Sequence, residues 1–232
     1  MTKLTIIIPV YNEIKTIEKL IKKVLKINIK KQVIIIDDGS KDGTELILKQ
    51  YRNKIDKLIT HKTNLGKGAA IKSGQKYIKG KYIAIQDADL EYDPRDLITL
   101  VNTMEKKTLN VIYGSRVLKK NKFENIQNFT HIIRIWGNTF LTQISNYLNK
   151  QNLTDAHTCY KIFNSKIFKK IKLKENGFSF CPEITTKLSM MNIKIEEFPI
   201  NYIGRNYKQG KKITALDGLD ALYALVKYRY FD

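Results

Sequence analysis

The sequence predicts one α/β domain, a mostly parallel central sheet with helices on both faces. Two observations carry that expectation. Apolar runs of strand length alternate with segments whose apolar residues recur at helical spacing. Two of the runs end in acidic turns, Asp37-Asp38-Gly39-Ser40 and Asp87-Ala88-Asp89, and open α/β sheets keep their ligands at the carboxyl ends of strands.

Leu4 to Pro9 is continuously apolar and reads as a buried strand; Ile14, Ile17, Leu20, Ile21, Val24 and Leu25 then mark a helix, and Val33 to Ile36 a second strand. Ser40 with Gly43 starts a short helix through Leu48, Lys57 to Thr60 is a short strand, and Gly66 to Ile78 a helix. Tyr82 to Gln86 is the strand before Asp87, Pro94 opens a helix to about Lys106, and Val111 to Tyr113 is a strand before Gly114-Ser115-Arg116. Lys119 to Asn128 is polar and reads as a mobile loop. Phe129, Ile132, Ile133, Trp136, Phe140, Ile144 and Leu148 give a long helix a broad apolar face. Cys181 to Met191 reads as a helix, Ile193 to Ile200 as an edge strand and Gly204 to Lys212 as a basic loop. A last helix carries Leu219, Leu222, Tyr223, Val226 and Tyr230 on one face.

The 232 residues suffice for one ordinary core, so the domain is expected to span 1–232. No apolar run approaches the roughly 18 residues of a spanning helix, and Met1 to Pro9 reads as strand rather than signal peptide. The expected location is the cytoplasm or a cytoplasmic membrane face. Cys159 and Cys181 are too few for a disulfide framework, and His61, His131 and His157 lack zinc-ligand spacing. A net charge of +20 suits an anionic membrane surface, a phosphorylated substrate or nucleic acid. No nucleic-acid motif is present and the aromatics are not interleaved with basic residues, so a nucleic-acid partner is not expected. Only six arginines stand beside 36 lysines, and Arg116, Arg134 and Arg205 fall in segments expected to face the site, where a planar fork suits phosphate oxygens.

Asp87 and Asp89, two residues apart beyond a strand end, can reach one side, toward a ribose and toward Mg²⁺ or Mn²⁺ bridging a diphosphate. Asp37 and Asp38 repel each other and need backbone donors or a polar ligand. Val10-Tyr11-Asn12-Glu13 presents a ring and a carboxylate beyond the first strand; its plainer reading makes Asn12 a helix N-cap. Asn64-Leu65-Gly66-Lys67-Gly68 lacks the spacing of a Walker loop, although its small residues offer backbone N–H groups to a diphosphate.

Taken together, Ile-Pro-Val-Tyr-Asn-Glu, Asp-Asp-Gly-Ser, Asn-x-Gly-Lys-Gly, Asp-Ala-Asp and Gly-Ser-Arg resemble family 2 glycosyltransferases of the GT-A (Rossmann-like) fold. The resemblance is to the dolichol-phosphate mannose synthase and polyprenyl-phosphate glycosyltransferase branch, and it runs on through Thr154 to Lys161, Phe180 to Ile184 and Arg205 to Lys212. It implies that Pro9, Tyr11, Glu13 and Asp38 line the nucleoside pocket, continued by Asp87, while Gly66 and Lys67 approach the nucleotide. Asp89 would hold the metal with Glu91 as its neighbour, though synthases often carry Gln at that position. Arg116 and Arg134 match positions that meet the acceptor phosphate, and Arg205 with Lys211 a loop that closes on the donor diphosphate. Residues 1–116 would then bind the nucleotide sugar and 117–232 the acceptor.

The implied reaction is metal-dependent and inverting, moving a hexose from a GDP-mannose or UDP-glucose type donor to dolichyl or undecaprenyl phosphate. A lipid phosphate is already anionic and needs a positive cradle. A sugar hydroxyl, the acceptor of the alternative polysaccharide or glycolipid transferase, needs a carboxylate base, for which Asp155 and Glu183 are the candidates. The helices Phe129 to Leu148 and Leu216 to Tyr230 are expected to cap the sheet, leaving a few side chains for reversible attachment to an anionic membrane.

Overall fold

Seven strands form one sheet in the order β3-β2-β1-β4-β6-β5-β7. The structure, a computed structural model, describes residues 2–118, 129–205 and 216–231, without the side chains of 129–134 and 216. The strands are β1 (Leu4–Val10), β2 (Lys31–Asp37), β3 (Lys57–Thr60), β4 (Tyr82–Ile85), β5 (Val111–Ser115), β6 (Lys161–Asn164) and β7 (Glu196–Pro199). The helices are α1 (Ile17–Lys26), α2 (Thr44–Gln50), α3 (Lys67–Gln75), α4 (Asp96–Lys106), α5 (Phe129–Asn149), α6 (Ser165–Lys170), α7 (Phe180–Met190) and α8 (Leu216–Tyr230).

All seven residues of β1 are buried. Successive side chains of a strand point to opposite faces, so both faces of the sheet centre are covered. Helix α3 achieves its cover with small residues: a methyl group on Gly74 would stand 3.1–3.2 Å from Ile36 and Ile7, so this glycine sets how closely the helix lies on β1 and β2. The chain builds outward from β1 to β2 and β3, then returns to place β4 on the other side of β1. That reversal is the switch point at which α/β sheets open a crevice. The registers Val10 to Asp37 and Ile7 to Ile85 bring the ends of β1, β2 and β4 to one edge, and with them all the acidic turns.

Strand β6, absent from the sequence reading, lies antiparallel between β4 and β5 in an otherwise parallel sheet. Lys161 hides it by interrupting the apolar run. Its buried ammonium donates to the carbonyls of Ala156 (2.9 Å) and Thr158 (2.6 Å) and sits 4.1 Å from the centre of the Tyr113 ring, which makes its burial tolerable. The short helix α6 was also unforeseen.

Two helices bury less of their expected apolar faces than the sequence pattern predicts, with Ile144 and Leu148 of α5 only half-buried. Helix α8 buries Ala221, Ala224, Leu225 and Tyr228 and exposes Leu219, Tyr223, Val226 and Tyr230, because its alanines allow close packing on α5 and α7. Helix α5 buries Thr142, Ser145 and Asn149 and exposes Trp136, Phe140 and Tyr147. Its polar side is drawn inward by segment 153–156, whose Leu153 exchanges hydrogen bonds with Asn146 while Ala156 N–H donates to Thr142. Asn12 is not a helix cap: its backbone N–H donates to Ser40 Oγ (2.9 Å) and its side chain accepts from Lys41 N–H (2.8 Å), tying the β1 turn to the β2 turn. The loop expected over 119–128 lies outside the described residues.

Candidate active site

The acidic turn after β4 is held in a strained shape. Leu90 has φ of 65°, a left-handed conformation uncommon for a branched side chain, and Glu91 N–H donates to Asp89 Oδ1 at 3.1 Å. This aims Asp89 and Glu91 together over the edge of the sheet. Glu13 arrives from the β1 turn, its backbone N–H fixed by Thr44 Oγ1 (2.9 Å) and its carboxylate accepting from Thr16 Oγ1 (2.8 Å).

Into this cluster comes Arg205. Its guanidinium donates to Glu13 Oε2 (3.0 Å), Glu13 Oε1 (3.2 Å) and Asp89 Oδ2 (3.1 Å), and its backbone N–H donates to Glu91 Oε1 (2.6 Å). Glu91 Oε2 accepts from Tyr202 O–H at 2.7 Å. Burial, reinforced by repulsion from Asp87 and Glu91, pushes the Asp89 carboxyl up to about 7 despite Arg205. Three carboxylates, Glu13, Asp89 and Glu91, share the single guanidinium of Arg205, so the cluster carries excess negative charge. Hard oxygen donors with that excess fit a divalent cation, and an arginine already stands in the cationic place. Among the described residues no three acidic, His or Cys side chains converge closely enough to hold a metal as they stand.

Asp87 is turned the other way, 2.5 Å from the Lys67 ammonium. Burial opposes the Lys67 charge, yet the attraction of Asp87 prevails and holds its pKa above the usual value. Asp38 is a rivet for the neighbouring loop: Oδ1 accepts from Leu65 N–H (3.0 Å) and lies 2.6 Å from His61 Nδ1, and Oδ2 accepts from Gly66 N–H (2.8 Å). Pro9 is buried within β1, and Tyr11 is half-buried just beyond it. The start of α3 is covered rather than open to a diphosphate, since Ala69 N–H donates to Asn176 O at 3.1 Å. Methyl groups on Gly66 and Gly68 would collide with the Asn176 and Glu175 carbonyls, so these glycines admit a protein loop.

Arg116, expected to face an acceptor phosphate, forks onto Asp155, with Nε to Oδ2 and Nη2 to Oδ1 both at 2.6 Å. Although burial pushes it up, the Arg116 guanidinium holds the Asp155 carboxyl down to about 2. The other face of Arg116 lies 5.2 Å from the centre of the Tyr202 ring. Glu183 is fully buried and accepts from Lys174 N–H (2.6 Å), Glu175 N–H (2.9 Å) and Lys187 Nζ (2.8 Å). The Arg134 side chain and all of Lys211 lie outside the described residues. Tyr202, which touches both the acidic cluster and Arg116, was missed; its only signal was its place three residues before Arg205.

The acidic cluster lies at the switch-point crevice where open α/β sheets bind their ligands, and comparison with known proteins identifies the family. The sequence profile described as glycosyl transferase family 2 matches residues 5–172, and the chain belongs to that family: it is a glycosyltransferase. It is 30% identical over 220 residues (86% of this chain, 66% of the relative) to a dolichyl-phosphate beta-glucosyltransferase of Dictyostelium discoideum. It is 27% identical over 240 residues (95% and 94%) to a UDP-N-acetylglucosamine–dolichyl-phosphate N-acetylglucosaminyltransferase of Methanococcus voltae. Its fold is that of glucosyl-3-phosphoglycerate synthase from Mycobacterium tuberculosis, crystallised with Mn²⁺, UDP and glucosyl-3-phosphoglycerate, at a TM-score of 0.68 and 13% identity over 98% of this chain and 80% of that one. No described helix is long and apolar enough to cross a membrane.

Proposed function

We propose that this transferase moves a hexose, with inversion, from a nucleotide sugar of the GDP-mannose or UDP-glucose type to a polyprenyl phosphate such as dolichyl or undecaprenyl phosphate, using Mg²⁺ or Mn²⁺. The observation that carries the acceptor assignment is the state of Asp155 and Glu183. A hydroxyl acceptor needs a free carboxylate base. Asp155 is locked on Arg116 and held at about 2, and Glu183 is fully buried with its oxygens on backbone and lysine donors. An anionic phosphate needs no proton removed, and the relatives named for lipid-phosphate acceptors share this chemistry.

In this reading residues 1–116 serve the donor. Asp89 holds the cation, and Tyr11, Pro9, Asp87 and the loop riveted by Asp38 shape the nucleoside pocket. The metal, when bound, neutralises charge on the departing diphosphate. Arg205 and Lys211 add positive charge to the same group, while Arg134 and the N–H groups of Arg116 not spent on Asp155 meet the acceptor phosphate. Trp136, Phe140, Leu219, Tyr223 and Tyr230, more than 60% exposed, form the face that rests on an anionic membrane, aided by the basic surface. The test is transfer from GDP-mannose, UDP-glucose and UDP-N-acetylglucosamine to polyprenyl phosphate, the unphosphorylated alcohol and free sugars, with metal and with EDTA. Preference for a hydroxyl acceptor, or full turnover in EDTA, overturns the corresponding part.

A further inference from the structure

The segment that delivers Arg205 is fastened along much of its length to the acidic turn and to the start of α4. Asn201 donates from its backbone and side chain to Asp96 Oδ2 and Oδ1, both at 2.7 Å. Tyr202 pairs with Tyr92 in an isolated antiparallel bridge, and their rings lie 5.2 Å apart. Ile203 N–H donates to Glu91 O (2.9 Å). Both oxygens of the Glu91 carboxylate are taken by this segment, one by the Tyr202 hydroxyl and one by Arg205 N–H. Glu91 is therefore spent as an anchor. The product of the anchoring is a guanidinium set between Glu13 and Asp89, within 3.2 Å of oxygens on both.

We propose that Tyr202 is a positioning residue which, through Glu91, holds Arg205 as a built-in counter-cation between Glu13 and Asp89, so that the arginine and a divalent cation compete for one place. The proposal rests on Asp89 being the metal-binding carboxylate. It adds that Glu91 orients the arm rather than ligating the metal, and that the empty enzyme binds metal poorly. A nucleotide diphosphate is the chemical group that can relieve the competition: it offers the guanidinium oxygens of its own and so frees Asp89 for the cation. Metal and donor then enter together, which keeps the acidic cluster neutralised before the substrate arrives.

The physical argument is electrostatic. A guanidinium within hydrogen-bond distance of two carboxylates in a half-buried site repels a divalent cation placed on the same oxygens, and low local dielectric strengthens that repulsion. An ordinary stabilising ion pair predicts the opposite signature. Removing its arginine lowers stability and leaves cation affinity unmoved.

The experiment is titration of the nucleotide-free full chain with Mn²⁺, followed by electron paramagnetic resonance of the free ion, in wild type, Arg205→Met, Tyr202→Phe and the double variant Arg205→Met with Asp89→Asn. Arg205→Met should bind Mn²⁺ at least about tenfold more tightly than wild type, because a repelling charge is removed from a site of low dielectric. Tyr202→Phe keeps every charge and keeps the ring against Arg116, losing only the hydroxyl that holds Glu91. It should tighten Mn²⁺ binding by about threefold, the part of a charged hydrogen bond's worth that reaches Arg205. It also covers the case in which Arg205→Met does not fold. UDP or GDP added to wild type should close most of the gap to Arg205→Met. Unchanged or weaker Mn²⁺ binding in Tyr202→Phe and Arg205→Met overturns the proposal. Asp89→Asn separates it from the underlying assignment: if adding Asp89→Asn to Arg205→Met leaves the tightened Mn²⁺ binding unchanged, the metal site itself is misplaced.

Discussion

Replacing Arg116 tests whether this residue is a loose phosphate binder or part of the scaffold. In the folded protein its fork is closed on Asp155, a carboxylate with no exposed surface, while the arginine side chain retains 22% of its own. Arg116→Met therefore strands a fully buried negative charge, and breaking such a pair costs about 3–5 kcal/mol, a large share of the roughly 5–15 kcal/mol that holds a domain together. Asp155→Asn should cost less, since the freed guanidinium reaches water. The double variant should recover much of the loss, because neither charge remains to be desolvated. In wild type the Asp155 carboxyl lies at about 2, below its ordinary 3.8, so its contribution is complete above 3.8 and lost as pH falls from there toward 2. In Arg116→Met the depressing partner is gone and burial raises the carboxyl's pKa, so the folded state takes up a proton more readily and the gap to wild type narrows on acidification. Urea unfolding at pH 7.5 and pH 5 measures all of this. A cost below about 1 kcal/mol for Arg116→Met, or additivity in the double variant, refutes the reasoning, since a buried pair must couple.

Asp89→Asn should abolish transfer while leaving stability unchanged or higher, because it relieves repulsion among Asp87, Asp89 and Glu91; thermal unfolding and a transfer assay check the two halves. Burial, and after it the nearby Lys161, lowers the His157 pKa to about 4. The unfolded chain therefore binds more protons between about 4 and 6.5, and His157 lends stability that is complete above 6.5 and lost as pH falls through that window. His157→Gln should flatten that loss, visible as a shallower dependence of urea midpoint on pH. Asp89, raised to about 7, acts in the opposite direction over an overlapping window, so Asp89→Asn should steepen the loss on acidification that His157 produces. Gly68→Ala should destabilise by about 1–3 kcal/mol, as overpacking does, by pushing the Glu175 carbonyl away; an unchanged unfolding midpoint would show that the loop over α3 yields freely.

The alternation of strands and helices through residue 115, the acidic turns and the family resemblance were all legible from the chain alone. Apolar period, turn residues and acid spacing are local properties, and parallel α/β units announce themselves locally. Strand β6 escaped because the signal of a buried strand is an unbroken apolar run, and Lys161 breaks it, satisfied only by carbonyls and a ring that the fold brings near. The facing of α5 and α8 escaped because it depends on what each helix meets: alanines let α8 pack closely by its small side, and segment 153–156 draws the polar side of α5 inward. At the site, sequence delivered Glu13, Asp89, Glu91 and Arg205 as members, 192 positions apart at the extreme, but not their pairing. Which carboxylate holds which cation is set by distances of about 3 Å between residues remote in sequence, and only the folded sheet edge establishes those distances.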